Sequence, residues 1–187
     1  MKFTLSILAI SIGLILLRWG LVSILKYFGL MFRGWVETSF VVVIVLLGLA
    51  LSGGIIYTLA KVSSSAPEHM WKKVLSGVGI GAVLIGAVVS GIVLLFGWSF
   101  SSMPEHVTEK HGQKMVAYVN SFLEVYVEYH EYRNAFVCGY NVIGEEHYGS
   151  GGYDPFERDP MPEPKTYWFY DTGGNLIAQL EEKTADE

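Results

Sequence analysis

Charge and cysteine are both scarce in this sequence. Of its 187 residues, 17% are charged and 51% are hydrophobic, whereas a soluble domain is usually about 25% charged. This composition argues against a protein that is free in water. The single cysteine, Cys138, can form neither an intrachain disulfide nor, by itself, a thiolate metal cluster.

The few charges are divided unevenly along the chain. Residues 1–100 hold seven Lys or Arg and two acids, a net charge of +5, while residues 101–187 hold six Lys or Arg and sixteen acids, a net charge of −10. We therefore divide the chain into a membrane region, 1–100, and an acidic extramembrane domain, 101–187. Nothing in either half supports a nucleic-acid partner.

Three apolar runs are long enough to cross a membrane, because a hydrocarbon core of about 30 Å takes about 20 helical residues. We expect spans at about 3–25, 40–60 and 74–98, the last two without a charged residue. A charge at the centre of a span usually marks a function such as a proton relay. Its absence from these two runs disfavours a pump or a coupled transporter. The expected partner of this half is the lipid bilayer.

Arg18 and Trp19 interrupt the first run, and two interpretations remain open. Either the helix runs to about Leu25 while Arg18 extends to the headgroups, or it ends near Trp19 and residues 21–36 lie in the interface as an amphipathic segment. We favour a short or tilted span followed by the interfacial segment. No A-x-A-like cleavage site follows Leu17, so we expect an uncleaved span. The residues expected to anchor the spans at the interfaces are Arg18, Trp19, Trp35, Trp71, Lys72, Lys73 and Trp98.

Lys and Arg flank the three spans almost equally on the two sides, so the positive-inside rule gives only a small preference for one orientation. We expect the N-terminus in the cytoplasm. After three spans the acidic tail then lies outside.

Glycine is concentrated in the second and third runs. Small residues recur there four positions apart, a spacing that lets helix backbones approach closely. We expect these faces to pack the two helices against each other, and packing against another subunit or a second copy of the chain is the alternative. The residues concerned are Gly48, Ser52, Gly77, Gly81, Gly86 and Ser90.

The first part of the tail changes its periodicity. Apolar side chains three and four apart favour a helix over residues 105–121. From Leu123 onward apolar and polar residues alternate, which predicts a strand, with continuation of the helix to about Arg133 as the alternative. We expect a second extended segment, 135–148, to pair with this strand through a turn near Arg133.

The rest of the tail is predicted to hold a loop and a hairpin. Residues 149–164 contain four prolines, which can hardly enter a sheet interior. Residues 166–170 and 176–180 flank Asp171–Asn175, whose glycines suit a tight connection. The polar end, 181–187, shows no reason to be ordered. The expected fold is a three-helix membrane region followed by a small α+β domain of one helix and about four antiparallel strands.

Two glycine-rich stretches of the tail, Tyr148–Phe156 (YGSGGYDPF) and Tyr170–Leu176 (YDTGGNL), resemble stretches in small membrane-anchored proteins of Gram-positive bacteria. The resemblance covers the tail only. It implies a bacterial cell membrane as the location and no particular activity.

No pattern of catalytic residues stands out, and we expect neither catalytic residues nor a cofactor. If the two long strands pair, His130, Glu146 and His147 could converge on one rim as nitrogen and oxygen ligands of a metal; surface-facing polar positions are the simpler interpretation. The acids of the proline-rich loop do not have EF-hand spacing. Ser23-Ile-Leu-Lys26 fits S-x-x-K formally but has none of its partner motifs.

Aromatic residues are the most specific feature of the tail, which holds nine tyrosines. Tyrosine suits recognition surfaces because its ring is apolar and its hydroxyl forms hydrogen bonds. A small core does not need nine of them, so we expect an interaction surface beside the proline-rich loop. Its expected residues are Tyr148, Tyr153, Asp154 and Phe156.

These observations support three hypotheses of different classes. The first is a non-enzymatic membrane protein that presents an extracytoplasmic domain to a protein partner, as an accessory, sensor or immunity-type component. The second is a subunit of a transporter or channel that assembles through its glycine-rich third span. The third is a metal-dependent enzyme built on the His130 and His147 rim.

Overall fold

A computed structural model describes residues 2–64, 70–101 and 103–181. Within them the chain forms two compact units. One unit contains most of three helices, and the other contains the strands of the tail together with Val22–Val36. The division at residue 100 expected from charge leaves Val22–Val36 with the helices, whereas the structure groups this segment with the strands.

Three N-terminal helices, α1 (Lys2–Tyr27), α2 (Gly34–Ser64) and α3 (Met70–Ser101), account for the apolar runs. All three are long and apolar enough to cross a membrane, as their sequences predict. The end of α1 differs from the favoured expectation. The helix continues through Arg18 and Trp19 because apolar residues resume at Leu21, and it ends before Gly29, whose φ of 67° no helix accommodates.

The interfacial segment expected at 21–36 does not form a helix of its own. Its middle is a short strand, β1 (Leu30–Phe32), between the end of α1 and the start of α2. β1 pairs antiparallel with residues 137–139 of the tail, with Met31 opposite Cys138. The apolar side chains that suggested an amphipathic helix therefore belong to a strand that the tail completes.

Six further strands form the sheet of the tail. They are β2 (Glu105–Lys110), β3 (Gln113–Asn120), β4 (Glu124–Tyr132), β5 (Val137–Ser150), β6 (Thr166–Tyr170) and β7 (Leu176–Leu180). Neighbours in the order β2-β3-β4-β5-β6-β7 pair antiparallel, and β1 pairs with β5 beyond its contact with β6. The sheet of the described residues is not closed into a barrel.

The helix expected at 105–121 is wrong, and the domain contains more strands than the expected four. Residues 105–120 are the β2–β3 hairpin, which turns at His111 and Gly112 with φ angles of 50° and 73°. Two successive positive φ angles are typical of tight hairpin turns. Because β3 is covered on both faces, every residue from Met115 to Val119 is buried. Apolar and polar residues therefore do not alternate along β3, and the spacing of its apolar residues matches that of a helix by chance.

The later tail elements follow the sequence closely. β4, β5 and the turn between them confirm the two extended segments, and β6 and β7 confirm the hairpin around Asp171–Asn175. The predicted loop begins two residues later than expected, because Gly149 and Ser150 end β5; described residues 151–164 contain only a short 3-10 helix, Pro155–Glu157, as the prolines require. Of the polar end, residues 182–187 lie outside the described residues.

Each face of the sheet packs its own apolar cluster. The first face carries the larger one: Met115, Ala117, Val119, Val125, Val127, Tyr129, Tyr148 and Phe169. Gly144 lies between Tyr129 and Phe169 in the strand register, and a Cβ there would overlap the ring of Phe169. The cluster on the second face is smaller and consists of Val116, Tyr118 and Cys138, with Met31 and Tyr132 packed against them.

Candidate functional site

A buried carboxylate, Glu146, is the centre of the polar network on the first face. Glu146 is only 4% exposed. One oxygen, Oε1, pairs with the ammonium of Lys110 on β2. The other, Oε2, accepts hydrogen bonds from the hydroxyls of Tyr129 at 2.5 Å and Tyr148 at 2.7 Å. Both carboxylate oxygens therefore have partners, as a buried charge requires.

The surroundings of this network keep its two tyrosines protonated. Burial raises the pKa of Tyr129 and of Tyr148 above the ordinary value, and the adjacent negative charge of Glu146 raises both further. Lys110 lies 5.0 Å from the centre of the Tyr129 ring and 5.8 Å from that of Phe169, a cation–π arrangement. The network thus joins β2, β4 and β5 through fixed donors and a fixed acceptor.

The residues considered as metal ligands do not come together. Alternation along β5 places Glu146 on the first face and His147 on the second. His130 is also on the second face, where Nδ1 is 3.0 Å from the carbonyl of Gly139. His147 stacks on Tyr126 at 4.5 Å, and its Nε2 lies 3.4 Å from Glu124. No group of three potential metal ligands occurs in the part of the chain that the structure describes.

A second ion pair fastens the connection between α1 and α2 to the sheet. Arg33 follows β1 and pairs with Glu105, the first residue of β2, and each side chain is 12% exposed. Arg33 Nε donates to Oε1 at 2.7 Å, and the backbone N–H of Gly34 donates to Oε2 at 2.7 Å. A two-pronged, partly buried contact of this kind is stronger than an exposed pair. It holds residues 33–34 against a strand 71 positions later in the chain.

Cys138 is buried beneath this connection. Its thiol lies 3.6 Å from the hydroxyl of Tyr118, and burial raises the pKa of both groups. A thiol with a raised pKa is less ionised and therefore less reactive. Burial also lowers the pKa of His130, whose ring is 5.4 Å from that of Tyr118. These groups act as core residues of the second face.

The interaction surface expected beside the proline-rich loop is largely turned inward. Tyr148 is 5% exposed and belongs to the core, so it does not lie on a surface. Tyr153 and Phe156 are half-buried and pack on the first face. Asp154 caps the short 3-10 helix, and its Oδ2 lies 2.7 Å from Nε2 of His106. The loop covers the sheet because its aromatic residues complete a core that the strands leave open.

Exposed aromatic rings lie instead at the two ends of the α1–α2 connection and at the ends of the β5 segment bonded to it. We call this patch the junction surface: Tyr27, Phe28, Trp35, Phe136 and Tyr140. Their exposed fractions run from 46% for Trp35 and Tyr140 to 86% for Tyr27. The rings of Trp35 and Phe136 are 5.4 Å apart, and Trp35 Nε1 donates to the carbonyl of Ala135 at 2.8 Å.

The outer edge of the sheet at β7 is a second exposed apolar feature. In the described residues, β7 pairs only with β6. Leu176, Ile177 and Leu180 are between 43% and 50% exposed. An exposed apolar edge strand is a template for pairing with another chain.

The glycines of α2 and α3 do not meet each other. Among the described residues, a Cβ added at Gly48, Gly77, Gly81 or Gly86 would meet nothing within 4 Å, so these four glycines do not make there the close helix contact expected of them. Close approaches occur elsewhere: Gly79 faces Leu59, and Ser76 Oγ donates to the carbonyl of Leu59 at 2.7 Å. Ser52 Oγ bonds within its own helix, to Gly48.

Arg18 is held by an acid that the sequence analysis did not connect with it. Its Nη2 and Nε lie 2.5 Å and 3.1 Å from Oε2 of Glu37 in α2. The ion pair thus joins α1 to α2, and an apolar groove of about 350 Å³ runs beside Arg18 between these helices. Of the other expected anchors, Trp19 and Trp71 are exposed, while the side chains of Lys72 and Trp98 lie outside the described ones.

No signal in the sequence points to the polar-network residues Lys110, Glu105, Arg33 and Glu37. Each partner is distant in sequence, and no local pattern marks a long-range ion pair.

Together the helices and the sheet define the class of the protein: three apolar helices followed by a sheet-rich domain of antiparallel strands. Compared with family models, curated proteins and solved structures, the chain matches none of them.

Proposed function

We propose that this chain is a non-enzymatic membrane protein that holds a small acidic sheet domain at the membrane surface and binds a protein partner there. The membrane part is supported by three helices that are long and apolar enough to cross a bilayer. The domain is tied to them at two places, because it both follows α3 and incorporates the connection between α1 and α2. Such a domain cannot diffuse away from the membrane.

The location of the tail follows from the order of these elements. If all three helices span, the α1–α2 connection and the tail lie on the same side, which agrees with the pairing of β1 with β5. We keep the proposed orientation, with the N-terminus in the cytoplasm and the tail outside, and the proposed bacterial cell membrane. Both proposals depend on the sequence rather than on the fold.

The observation that carries the interaction role is the exposed edge of β7. Leu176, Ile177 and Leu180 present apolar side chains beside backbone groups at the end of the sheet. A partner that adds an extended segment here gains main-chain hydrogen bonds and contacts with these side chains. The partner is therefore a protein with an extended apolar segment, and β7 replaces the loop residues first expected to form this surface.

Photo-crosslinking in intact membranes tests this role. A benzophenone amino acid at Ile177 is expected to capture a discrete partner, whereas one at Glu157, an exposed residue of the proline-rich loop, is not. The substitution Ile177→Lys should abolish capture from a probe at Leu180, and the matched substitution Gln179→Lys should preserve it. Capture that is equal at positions 157 and 177, or insensitive to Ile177→Lys, would refute the β7 role.

A second candidate is a subunit of a larger membrane assembly. It is favoured by the space that the described residues leave open next to Gly77, Gly81 and Gly86 in α3, because such small faces are suited to a helix of another subunit or a second copy. Replacing Gly81 and Gly86 by Leu should then lower the assembly size in mild detergent while the sheet domain keeps its circular dichroism. An unchanged assembly size would exclude assembly through the glycine-rich face of α3.

We propose no metal chemistry, since His130 and Glu146 lie on opposite faces of the sheet.

A further inference from the structure

We propose that the junction surface is a second membrane contact: the tip of the β4–β5 hairpin lies in the lipid headgroup layer beside the ends of α1 and α2. The inference rests on the proposed membrane location of the helices and goes beyond it, because it assigns a lipid-binding surface to the sheet domain. Its occupant is the interfacial layer of the same bilayer.

The connection between α1 and α2 is short. α1 ends at Tyr27 and α2 begins at Gly34, so only residues 28–33 lie between two helices that are long and apolar enough to span. α1 and α2 hold 26 and 31 residues, more than the about 20 that cross the core, and the short connection cannot extend far beyond their ends. Whatever is hydrogen-bonded to it therefore lies on the side where these two helices leave the bilayer.

The hairpin tip is bonded along this connection. The N–H of Tyr140 donates to the carbonyl of Gly29 at 2.8 Å, and the N–H of Arg33 donates to the carbonyl of Phe136 at 2.9 Å. Between these two bonds β1 pairs with residues 137–139. Arg33 is itself fixed by Glu105. The tip cannot separate from the connection without breaking several of these contacts.

The exposed side chains of the junction surface are aromatic. Tyr27, Phe28 and Phe136 are 86%, 68% and 58% exposed, which in water alone would leave a costly aromatic patch. Tyr and Trp are preferred at the membrane interface because their rings are amphipathic, and Phe side chains are buried at the boundary of headgroups and acyl chains. Lys26, whose ammonium lies 5.4 Å from the Tyr140 ring, supplies a cation for lipid phosphates.

The tip is rigid rather than a loose loop. Asn134 Oδ1 accepts hydrogen bonds from the N–H groups of Phe136 at 2.8 Å and Val137 at 3.0 Å. This turn holds the Phe136 ring next to Trp35, the second residue of α2. A ring held in this way enters the interface without further loss of backbone entropy.

A fluorophore that senses polarity tests the proposal in the full chain. The chain is reconstituted in phosphatidylcholine vesicles, in a Cys138→Ala background, with a nitrobenzoxadiazole label on Phe136→Cys. We expect blue-shifted emission, quenching by lipids that carry a nitroxide near the headgroup, and several-fold weaker quenching by aqueous iodide than for a label on Glu157→Cys. Met161→Cys, at an exposed apolar residue of the proline-rich loop, is the matched apolar control and should behave like position 157.

Four outcomes of this measurement would count against the proposal or against its premise. Equal iodide quenching at positions 136 and 157 would overturn the proposal, and so would equal protection at 136 and 161, because lipid contact would then not be specific to the tip. A label on Leu46→Cys in the middle of α2 distinguishes the lipid contact of the junction surface from the membrane location of the helices. If position 46 is quenched by a nitroxide deep in the bilayer while position 136 is exposed to iodide, only the proposed lipid contact of the junction surface is wrong. If position 46 is not quenched, the membrane location itself fails. Ala135→Cys repeats the measurement at the same tip if Phe136→Cys does not fold.

Discussion

Glu146 shows how a single residue can join several strands. Its two oxygens hold Lys110 of β2, Tyr129 of β4 and Tyr148 of its own strand. Removal of one member of a buried polar network leaves the others without partners in a medium of low polarity. The stability of the first face therefore depends on this carboxylate more than on any exposed acid of the tail.

The substitution Glu146→Ala is expected to lower the free energy of unfolding of the sheet domain by about 3 kcal/mol, because Lys110 and two tyrosine hydroxyls lose their acceptor. Denaturant unfolding of the full chain in detergent micelles, followed by tyrosine near-UV circular dichroism, measures it. The control Glu157→Ala removes an exposed acid and should change stability by no more than about 0.5 kcal/mol. Equal effects of the two substitutions would contradict the role of the network.

The buried tyrosines predict sensitivity to alkaline pH. Burial is the largest cause of the raised pKa of Tyr118, Tyr129 and Tyr148. In the unfolded chain such groups ionise near pH 10, so there the unfolded state releases protons that the folded state keeps, and stability falls as the pH rises. We expect full stability below about pH 10 and a progressive loss above it. Absorbance of tyrosinate that develops completely while the domain remains folded would contradict this expectation.

At the scale of elements, the connection between α1 and α2 is the least expected part of the fold. Its residues read as an interfacial segment in the sequence, yet β1 pairs with β5 and Arg33 pairs with Glu105. A segment of three residues does not form a strand by itself, because isolated strand pairing is marginal. β1 exists because β5, more than a hundred positions later, offers it an edge.

A double-mutant cycle measures this attachment. Arg33→Ala and Glu105→Ala are expected to show a coupling energy of about 1–3 kcal/mol, since the pair is partly buried and two-pronged. Glu131 and Arg133 form the matched control. Their ion pair is 2.8 Å long but has side chains 27% and 55% exposed, and we expect a coupling below about 1 kcal/mol. A coupling at Arg33 no larger than at Arg133 would show that the pair does not fasten the connection.

Strands in the second half of the tail were predictable and β2 and β3 were not, for one physical reason. β6 and β7 are at the end of the sheet and are joined by Asp171–Asn175, where Asp171 Oδ1 accepts hydrogen bonds from Gly173 and Asn175. That turn is encoded locally. β3 lies between two neighbours and beneath two apolar clusters, so its pattern depends on residues that are distant in the chain.

At the scale of the whole molecule, the three helices and the strands carry opposite net charge and are built for different surroundings. The helices leave large apolar side chains exposed along their length, among them Leu46, Leu49 and Leu95 at 60–70%. The sheet domain buries apolar side chains in two clusters and leaves others exposed mainly at the junction surface and along β7. This division is the physical basis of the proposed membrane location.

The number of spans predicts the sides on which two exposed residues lie. With three spans, Met70 at the start of α3 and Glu157 in the tail are on opposite sides of the membrane. In a Cys138→Ala background, a membrane-impermeant thiol reagent added to intact cells should label Glu157→Cys, and should label Met70→Cys only after permeabilisation. Labelling of both from the same side would contradict three spans. The reverse pattern would keep three spans and invert the orientation.

The candidate-site residues, like the elements of the fold, were predictable from the sequence only in part. Arg18 was recognised as exceptional because a charge in an apolar run is visible in the sequence, but Glu37 as its partner was not. The sequence shows Tyr148, Tyr153 and Phe156 as an aromatic group, but it does not show whether they face solvent or the core. The course of the loop over the first face turns them inward. Phe136 has no local signal that places it next to Trp35.

The amino-acid sequence alone was sufficient for the properties that depend on local composition: three apolar helices, an acidic tail, and the hairpin around Asp171–Asn175. Solvent preference and turn geometry act over a few residues, so they can be read along the chain. Only the folded arrangement decided that β1 joins the tail, that Glu146 is surrounded by Lys110 and two tyrosines, and that the aromatic rings divide between a core and the junction surface. These features arise from pairing between residues far apart in the chain, where the energy of contact depends on which strands become neighbours.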